Sequence, residues 1–222
     1  MASGDDQPLG AARRKLVESK ERWAREGRLL TGRPARPETE RLPPGQRRVD
    51  DWPVLDLGVQ PAVPMEDWQL IIDGLVENPI AWRWDEFRAQ PEVDDVSDIH
   101  CVTAWSRFDN LWQGVGARHL LAVTRPLPMA RFVVLHGYDD YATNLPLADF
   151  ADDDVLIAHS WQGKPLTRDH GGPARAIVPK LYFWKSAKWL RRIELVAADR
   201  PGFWEERGYH DHGDPWREER YR

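Results

Sequence analysis

The main body of the chain is written in short apolar runs broken by Gly, Pro and Asp, a spacing that suits strands better than long helices. Residues 68–72 read as a strand closed by the Asp73-Gly74 turn, and Asn78-Pro79 opens another turn. Trp82-Arg83-Trp84 alternates, after which Asp85 is expected to cap a short helix through Phe87 and Arg88. Further strands are expected at 99–104, 131–136, 155–160, 174–178 and 189–197, with short helices at 116–123 and 146–150. Strands and helices do not alternate as βαβ units and no repeat period appears, which predicts a single α+β domain on a mixed sheet or partial barrel.

The first 48 residues follow a different pattern. Leu16, Trp23 and Leu30 recur seven apart, and Glu18–Arg22 and Glu21–Arg25 are favourable i,i+4 pairs, which predicts an amphipathic helix over 11–30. Residues 33–48 are rich in Pro and Arg and nearly free of apolar side chains, so they are expected to form an extended arm. The expected organisation is a basic helix and arm over 1–48, a domain over 49–200 and a tail over 201–222 packed on the domain.

Composition narrows the classes. The 222 residues carry 31 Lys and Arg against 36 Asp and Glu, a formal net charge of -5, which argues against nucleic acid as the main ligand. The charge is uneven, with 12 Lys and Arg against 7 Asp and Glu before Val49. No apolar run reaches a membrane-span length, and no apolar segment follows Arg13-Arg14-Lys15 as an export signal requires. A cytoplasmic location without a membrane span is therefore expected. Neither a P-loop nor a GxGxxG fingerprint is present.

Two constellations bear chemistry. The lone thiol, Cys101, lies in His100-Cys101-Val102-Thr103-Ala104-Trp105-Ser106. It reads either as a small buried hydrophobe or as a thiolate for a substrate or soft metal, and one thiolate suffices where a cofactor brings the other ligands. Downstream, His170-Gly171-Gly172-Pro173-Ala174-Arg175 is followed by Tyr182 and Lys185-Ser186-Ala187-Lys188-Trp189. A Gly-Gly turn with Arg and Lys nearby suits a phosphate, and equally suits a solvated surface loop. Two rivals stand beside these. One is a metal site in Tyr209-His210-Asp211-His212-Gly213-Asp214, and the other a binding module with Trp82, Trp84, Trp105, Trp112, Trp184 and Trp189 as stacking platforms.

The Cys101 segment with Trp112-Gln113-Gly114-Val115 resembles the molybdenum-binding segment of the sulfite oxidase family. The 170–179 segment with 182–190 is similar to its molybdopterin-binding segment, and 68–76 with Asn78-Pro79 resembles the strand that opens its domain. The resemblance implies a molybdopterin-binding domain of the sulfite oxidase type and two-electron oxygen-atom transfer at a molybdenum oxo group. It also implies that Cys101 is the metal ligand, and that His170, Arg175, Lys185, Ser186, Ala187 and Lys188 hold molybdenum-molybdopterin. The substrate it implies is sulfite, as a small oxyanion, or an S- or N-oxide. The family's Arg-x-His-like motif is missing from 51–58, so Arg107 is the candidate cation for an oxyanion, and Tyr209 falls near the family's active-site Tyr. No heme domain and no immunoglobulin-like dimerisation domain is recognisable. A separate electron carrier of flavoprotein, cytochrome or ferredoxin type is therefore expected.

Overall fold

The computed structural model describes residues 38–222. The expected 11–30 helix, the Arg13-Arg14-Lys15 run and the first residues of the expected arm lie outside the described residues. The chain divides into two compact units, Met1–Arg41 and Leu42–Arg222. The described part of the first is a short helix at Glu38–Arg41. The second holds residues 42–48 as well as the expected domain and tail, because Arg47 and Arg48 pair with Trp105 and Ser106.

Two sheets form this unit. The first combines β1 (Arg47–Arg48), β4 (Glu92–Cys101), β5 (Trp105–Gly116), β8 (Leu156–Trp161), β9 (Lys164–Pro165) and β10 (Arg175–Ile177). It runs β1-β5-β8-β10, with β4 on β5 and β9 on β8. The second runs β3-β2-β11-β6-β7, from β2 (Gln69–Gly74), β3 (Ile80–Arg83), β6 (Phe132–Gly137), β7 (Ala142–Pro146) and β11 (Leu190–Val196). Both are mixed, since β1 lies parallel to β5 and β11 parallel to β2 while the other pairings are antiparallel.

Local sequence explains most of these elements. In β2, Leu70 and Ile72 are buried while their neighbours are only partly so, the period-2 burial of a half-covered strand. Leu156-Ile157-Ala158-His159-Ser160 is buried throughout, as befits a strand covered on both faces. The helix at Trp84–Arg88 is capped two residues earlier than expected, at Arg83 rather than Asp85, because the Arg83 N–H donates to Glu86 Oε2 at 2.8 Å and fixes the N-cap there. The strand expected over 99–104 ends at Cys101. Residues 102–104 form a turn in which Ala104 takes φ 69° and its N–H returns to Cys101 O at 3.0 Å.

The larger core lies among β2, β6, β11 and the helix Ala117–Thr124, around Trp68, Phe87, Leu120 and Phe150. A smaller core joins Trp52, Ile99, Cys101, Trp105, Trp112 and Ile177. The candidate chemistry sits at the edge of this second core.

Candidate active site

Cys101 is the last residue of β4, and the turn to β5 is held on several sides. Gln46 Nε2 donates to Cys101 O at 3.0 Å, the Arg47 N–H to Ala104 O at 3.0 Å, and Arg220 Nη1 to Val102 O at 2.6 Å. The Cys101 side chain is 7% exposed, with its Sγ 3.2 Å from Thr103 Oγ1. Burial pushes the thiol pKa up, against weaker opposing effects of Thr103 and the Arg220 charge. A fixed sulfur with a lifted pKa stays protonated until a ligand displaces the proton.

Cys101 lines a cavity of about 280 Å³, far above the ~10–15 Å³ that one water needs. Cys101, Arg175, Ser186, Ala187, Lys188 and Tyr209 all line it. The 3₁₀ turn Arg168–His170 ends at Gly171, whose φ is 96° and whose missing Cβ would lie 2.9 Å from Lys188 Cβ. Glycine there lets the 170–172 turn close onto Lys188, and the Trp189 N–H donates to Gly171 O at 3.1 Å. The two halves of the expected pterin segment are thereby brought to one wall.

Arg175 is 1% exposed. Its guanidinium donates to His170 O at 2.9 Å, Ser186 O at 2.7 Å and Ala176 O at 3.4 Å, and lies 4.3 Å from the Phe183 ring centroid. No carboxylate pairs with it among the described residues. Burial lowers its pKa to about 9. Lys188 donates to Asp169 O at 2.7 Å, and burial together with the Arg175 charge lowers its pKa to about 8. Two cations with depressed pKa values on one wall form a setting that an anion would relieve.

Other predicted residues fall elsewhere. Lys185 is fully buried, and its Nζ contacts Asn144 O (2.7 Å), Asn144 Oδ1 (3.0 Å), Asp211 O (2.6 Å) and Glu205 Oε1 (2.6 Å). That ammonium has no donor left for a phosphate, so the side chain is structural. His170 is not among the lining residues; its ring stacks on Trp52 at 3.8 Å and 9° and so backs a side chain that is. Arg107 is not among them either. Its guanidinium donates to Asp50 O at 3.1 Å and Asn110 Oδ1 at 2.5 Å and covers the Trp161 ring at 4.7 Å.

Several lining residues had no motif to announce them. Trp52, Leu55, Asp56 and Leu57 come from the irregular segment before β2, Asp139 and Tyr141 from the β6–β7 turn, and Trp204 from beyond β11. The available signal was a run of large apolar residues, Trp52 to Leu57, in a stretch with no strand or helix pattern. The rival metal segment is differently used. His212 bridges Asp149 Oδ2 (2.8 Å) and Glu219 Oε2 (2.9 Å), fastening the tail to the body, and no group of three or more His, Cys, Asp or Glu poised to hold a metal occurs among the described residues. Of the Trp proposed as stacking platforms, Trp105, Trp184 and Trp189 line the cavity, whereas Trp112 is fully buried in the core.

A thiol and two cations thus line one cavity on a two-sheet α+β scaffold. Residues 57–204 match the family model described as oxidoreductase molybdopterin binding domain, and the chain belongs to this sulfite oxidase family of molybdopterin-dependent oxidoreductases. It is 44% identical over 182 residues to the "Uncharacterized oxidoreductase YuiH" of Bacillus subtilis, covering 82% of this chain and 92% of that protein. It is 29% identical over 147 residues to the "Putative protein-methionine-sulfoxide reductase subunit YedZ1" of Azospira oryzae, covering 66% of this chain and 56% of that one. Among solved structures, the sulfane dehydrogenase SoxCD of Paracoccus pantotrophus shares the fold at a TM-score of 0.58 and 22% identity, over 63% of this chain and 40% of that one. No helix among the described residues is long and apolar enough to cross a membrane.

Proposed function

We propose that Cys101 binds the molybdenum of the cofactor through its thiolate, and that Arg175, Lys188 and the backbone at Ser186 and Ala187 hold the pterin and its phosphate. Arg175 carries this reading. An arginine 1% exposed that lines a cavity, with carbonyls and no carboxylate as the partners of its guanidinium among the described residues, is an incomplete ion pair, and an anionic cofactor completes it. The donor set fits the group: a soft sulfur for a metal that changes oxidation state, cations and amides for a phosphorylated tail.

When bound, the cofactor supplies two-electron oxygen-atom transfer to or from an oxyanion or an S- or N-oxide. The chain's own contribution is positional. Gln46, Arg47 and Arg220 pin the turn that carries Cys101, so the sulfur is presented at a fixed point. Trp52, Trp184 and Trp189 surround the cavity with rings that exclude water. Tyr209 lines the same cavity, and burial, followed by the interaction of its hydroxyl with Tyr221, raises its pKa, so it stays protonated at neutral pH. Electrons pass singly to or from a separate carrier of flavoprotein, cytochrome or ferredoxin type.

The test is metal and pterin analysis of protein purified from a molybdenum-replete host. Close to one molybdenum and one pterin per chain is expected. Zinc without pterin, or neither, contradicts the proposal.

A further inference from the structure

The turn that carries Cys101 is held from outside β4 and β5 by three residues, which bring different groups to it. Gln46 contributes a neutral amide, donating Nε2 to Cys101 O at 3.0 Å, and Arg47 only its backbone N–H, donated to Ala104 O at 3.0 Å. Arg220 contributes a charge. Its Nη1 donates to Val102 O at 2.6 Å and its Nη2 to Pro44 O at 3.4 Å, while the guanidinium covers the Tyr182 ring at 5.1 Å. No carboxylate pairs with it among the described residues.

Arg220 belongs to the tail beyond residue 204, where the family match ends. Main-chain bonds within the tail fix its place. The His210 N–H donates to Arg220 O at 3.2 Å and the Arg222 N–H to Gly208 O at 3.1 Å, with Tyr209 and Tyr221 paired as a bridge. The Tyr182 N–H donates to Gly213 O at 2.8 Å and ties the tail to the 182–189 segment. Arg220 is not among the residues that line the cavity, so it acts on the site through the Cys101 turn. Its charge opposes the effect of burial on the Cys101 thiol, so sulfur and guanidinium are close enough to interact.

We infer, resting on the assignment of Cys101 as the metal ligand, that Arg220 is a positioning residue whose positive charge, held behind the Cys101 turn, raises the reduction potential of the bound molybdenum. Each one-electron reduction adds negative charge at the metal–sulfur centre, and a nearby cation in a partly dry enclosure favours that state over the oxidised one. The bond to Val102 O holds the guanidinium at a constant distance, and the Tyr182 face retains it there. In the step concerned the metal gains one electron from a reduced redox protein or, in vitro, from reduced viologen. The guanidinium keeps its proton, and no bond at Arg220 forms or breaks. The tail thereby joins the electrostatics of the redox centre although the metal ligand sits on β4.

The experiment is a redox titration of loaded protein, with the half-reduced molybdenum followed by electron paramagnetic resonance, on the parent, Arg220→Gln and Arg220→Lys at one pH and ionic strength. Arg220→Gln keeps a donor for Val102 O but removes the charge. It should lower the first one-electron equilibrium constant about tenfold, a shift of about 59 mV. Arg220→Lys keeps the charge and should stay near the parent. Amide hydrogen exchange over residues 208–222 checks that the tail stays docked. Arg220→His makes the comparison within one protein: relative to the parent, its potential should fall as pH rises through the histidine range near about 6.5, and this variant decides if the Gln tail undocks. A docked Gln variant at the parent potential, a Lys variant that falls as far as Gln, or a His variant with the parent's pH dependence overturns the Arg220 inference alone. Parent protein without molybdenum and pterin overturns the cofactor assignment instead.

Discussion

Lys185 Nζ and Glu205 Oε1 lie 2.6 Å apart with neither side chain exposed to solvent. Glu205 also accepts from Thr143 Oγ1 and Trp184 Nε1, each at 2.9 Å, and from the Gly202 N–H at 3.1 Å. The pair thus joins β7, the 183–189 segment and the chain beyond β11, and the last two border the cavity. Removing one partner strands a buried charge, so Glu205→Gln or Lys185→Met should cost about 3–5 kcal/mol in urea unfolding. Replacing both with apolar residues should recover much of the loss. Single variants as stable as the parent would show that the pair is not holding these elements together.

Cofactor retention and turnover should separate between Arg175 and Cys101. Arg175→Ala removes the buried cation and should purify largely without pterin while remaining folded by circular dichroism. Cys101→Ser leaves the basic wall intact and should keep more pterin than Arg175→Ala, while losing turnover by a factor of about 100 or more. Full pterin content in Arg175→Ala would show the anchor to be elsewhere.

The tail should be fastened most firmly in mildly acidic solution. His212 has a raised pKa, chiefly through its bond to Asp149, so its contribution is complete below the ordinary histidine value of about 6.5 and fades as pH rises through the folded value. Asp149 has a lowered pKa, chiefly through His212, so its contribution is present above about 4 and lost as pH falls. Lys180 on Asp149, and His210 and Arg217 on Glu219, share the cluster. Amide hydrogen exchange over residues 210–219, corrected for intrinsic rates, should be slowest between about pH 4 and 6.5 and faster on either side. His212→Asn should flatten the alkaline limb. An unchanged profile in that variant would contradict the assignment.

Lys188 supplies a second pH dependence. With its pKa at about 8 before an anion arrives, cofactor-free protein should bind anionic pterin more weakly as pH rises through 8. Lys188→Arg, charged throughout, should shift the decline to higher pH. Equilibrium titration with molybdopterin from pH 6 to 9.5 measures both.

Cys101, Arg175 and Lys188 were legible because their neighbours form extended motifs, and all three line one cavity. The 12-residue strand Trp105–Gly116 was not seen, since its alternation is interrupted where Asp109 takes φ 55° and the β4 register shifts nearby. β7 was missed because Thr143 and Asn144 are polar residues buried by their bonds to Glu205 and Lys185, partners remote in sequence. The partners of Lys185 are remote in sequence too. A motif places a lysine near a site, but only the fold shows its ammonium already enclosed. Arg107 follows suit: proximity to Cys101 along the chain is undone by strand geometry, which sends its guanidinium to Asn110 and Trp161.

A bond between the Cys101 sulfur and the metal is the point on which the proposed chemistry depends. X-ray absorption at the molybdenum edge counts sulfur neighbours directly, on loaded parent protein and on loaded Cys101→Ser prepared in parallel. The variant should show one sulfur fewer, replaced by a lighter neighbour. An identical sulfur count in the two proteins would contradict the bond.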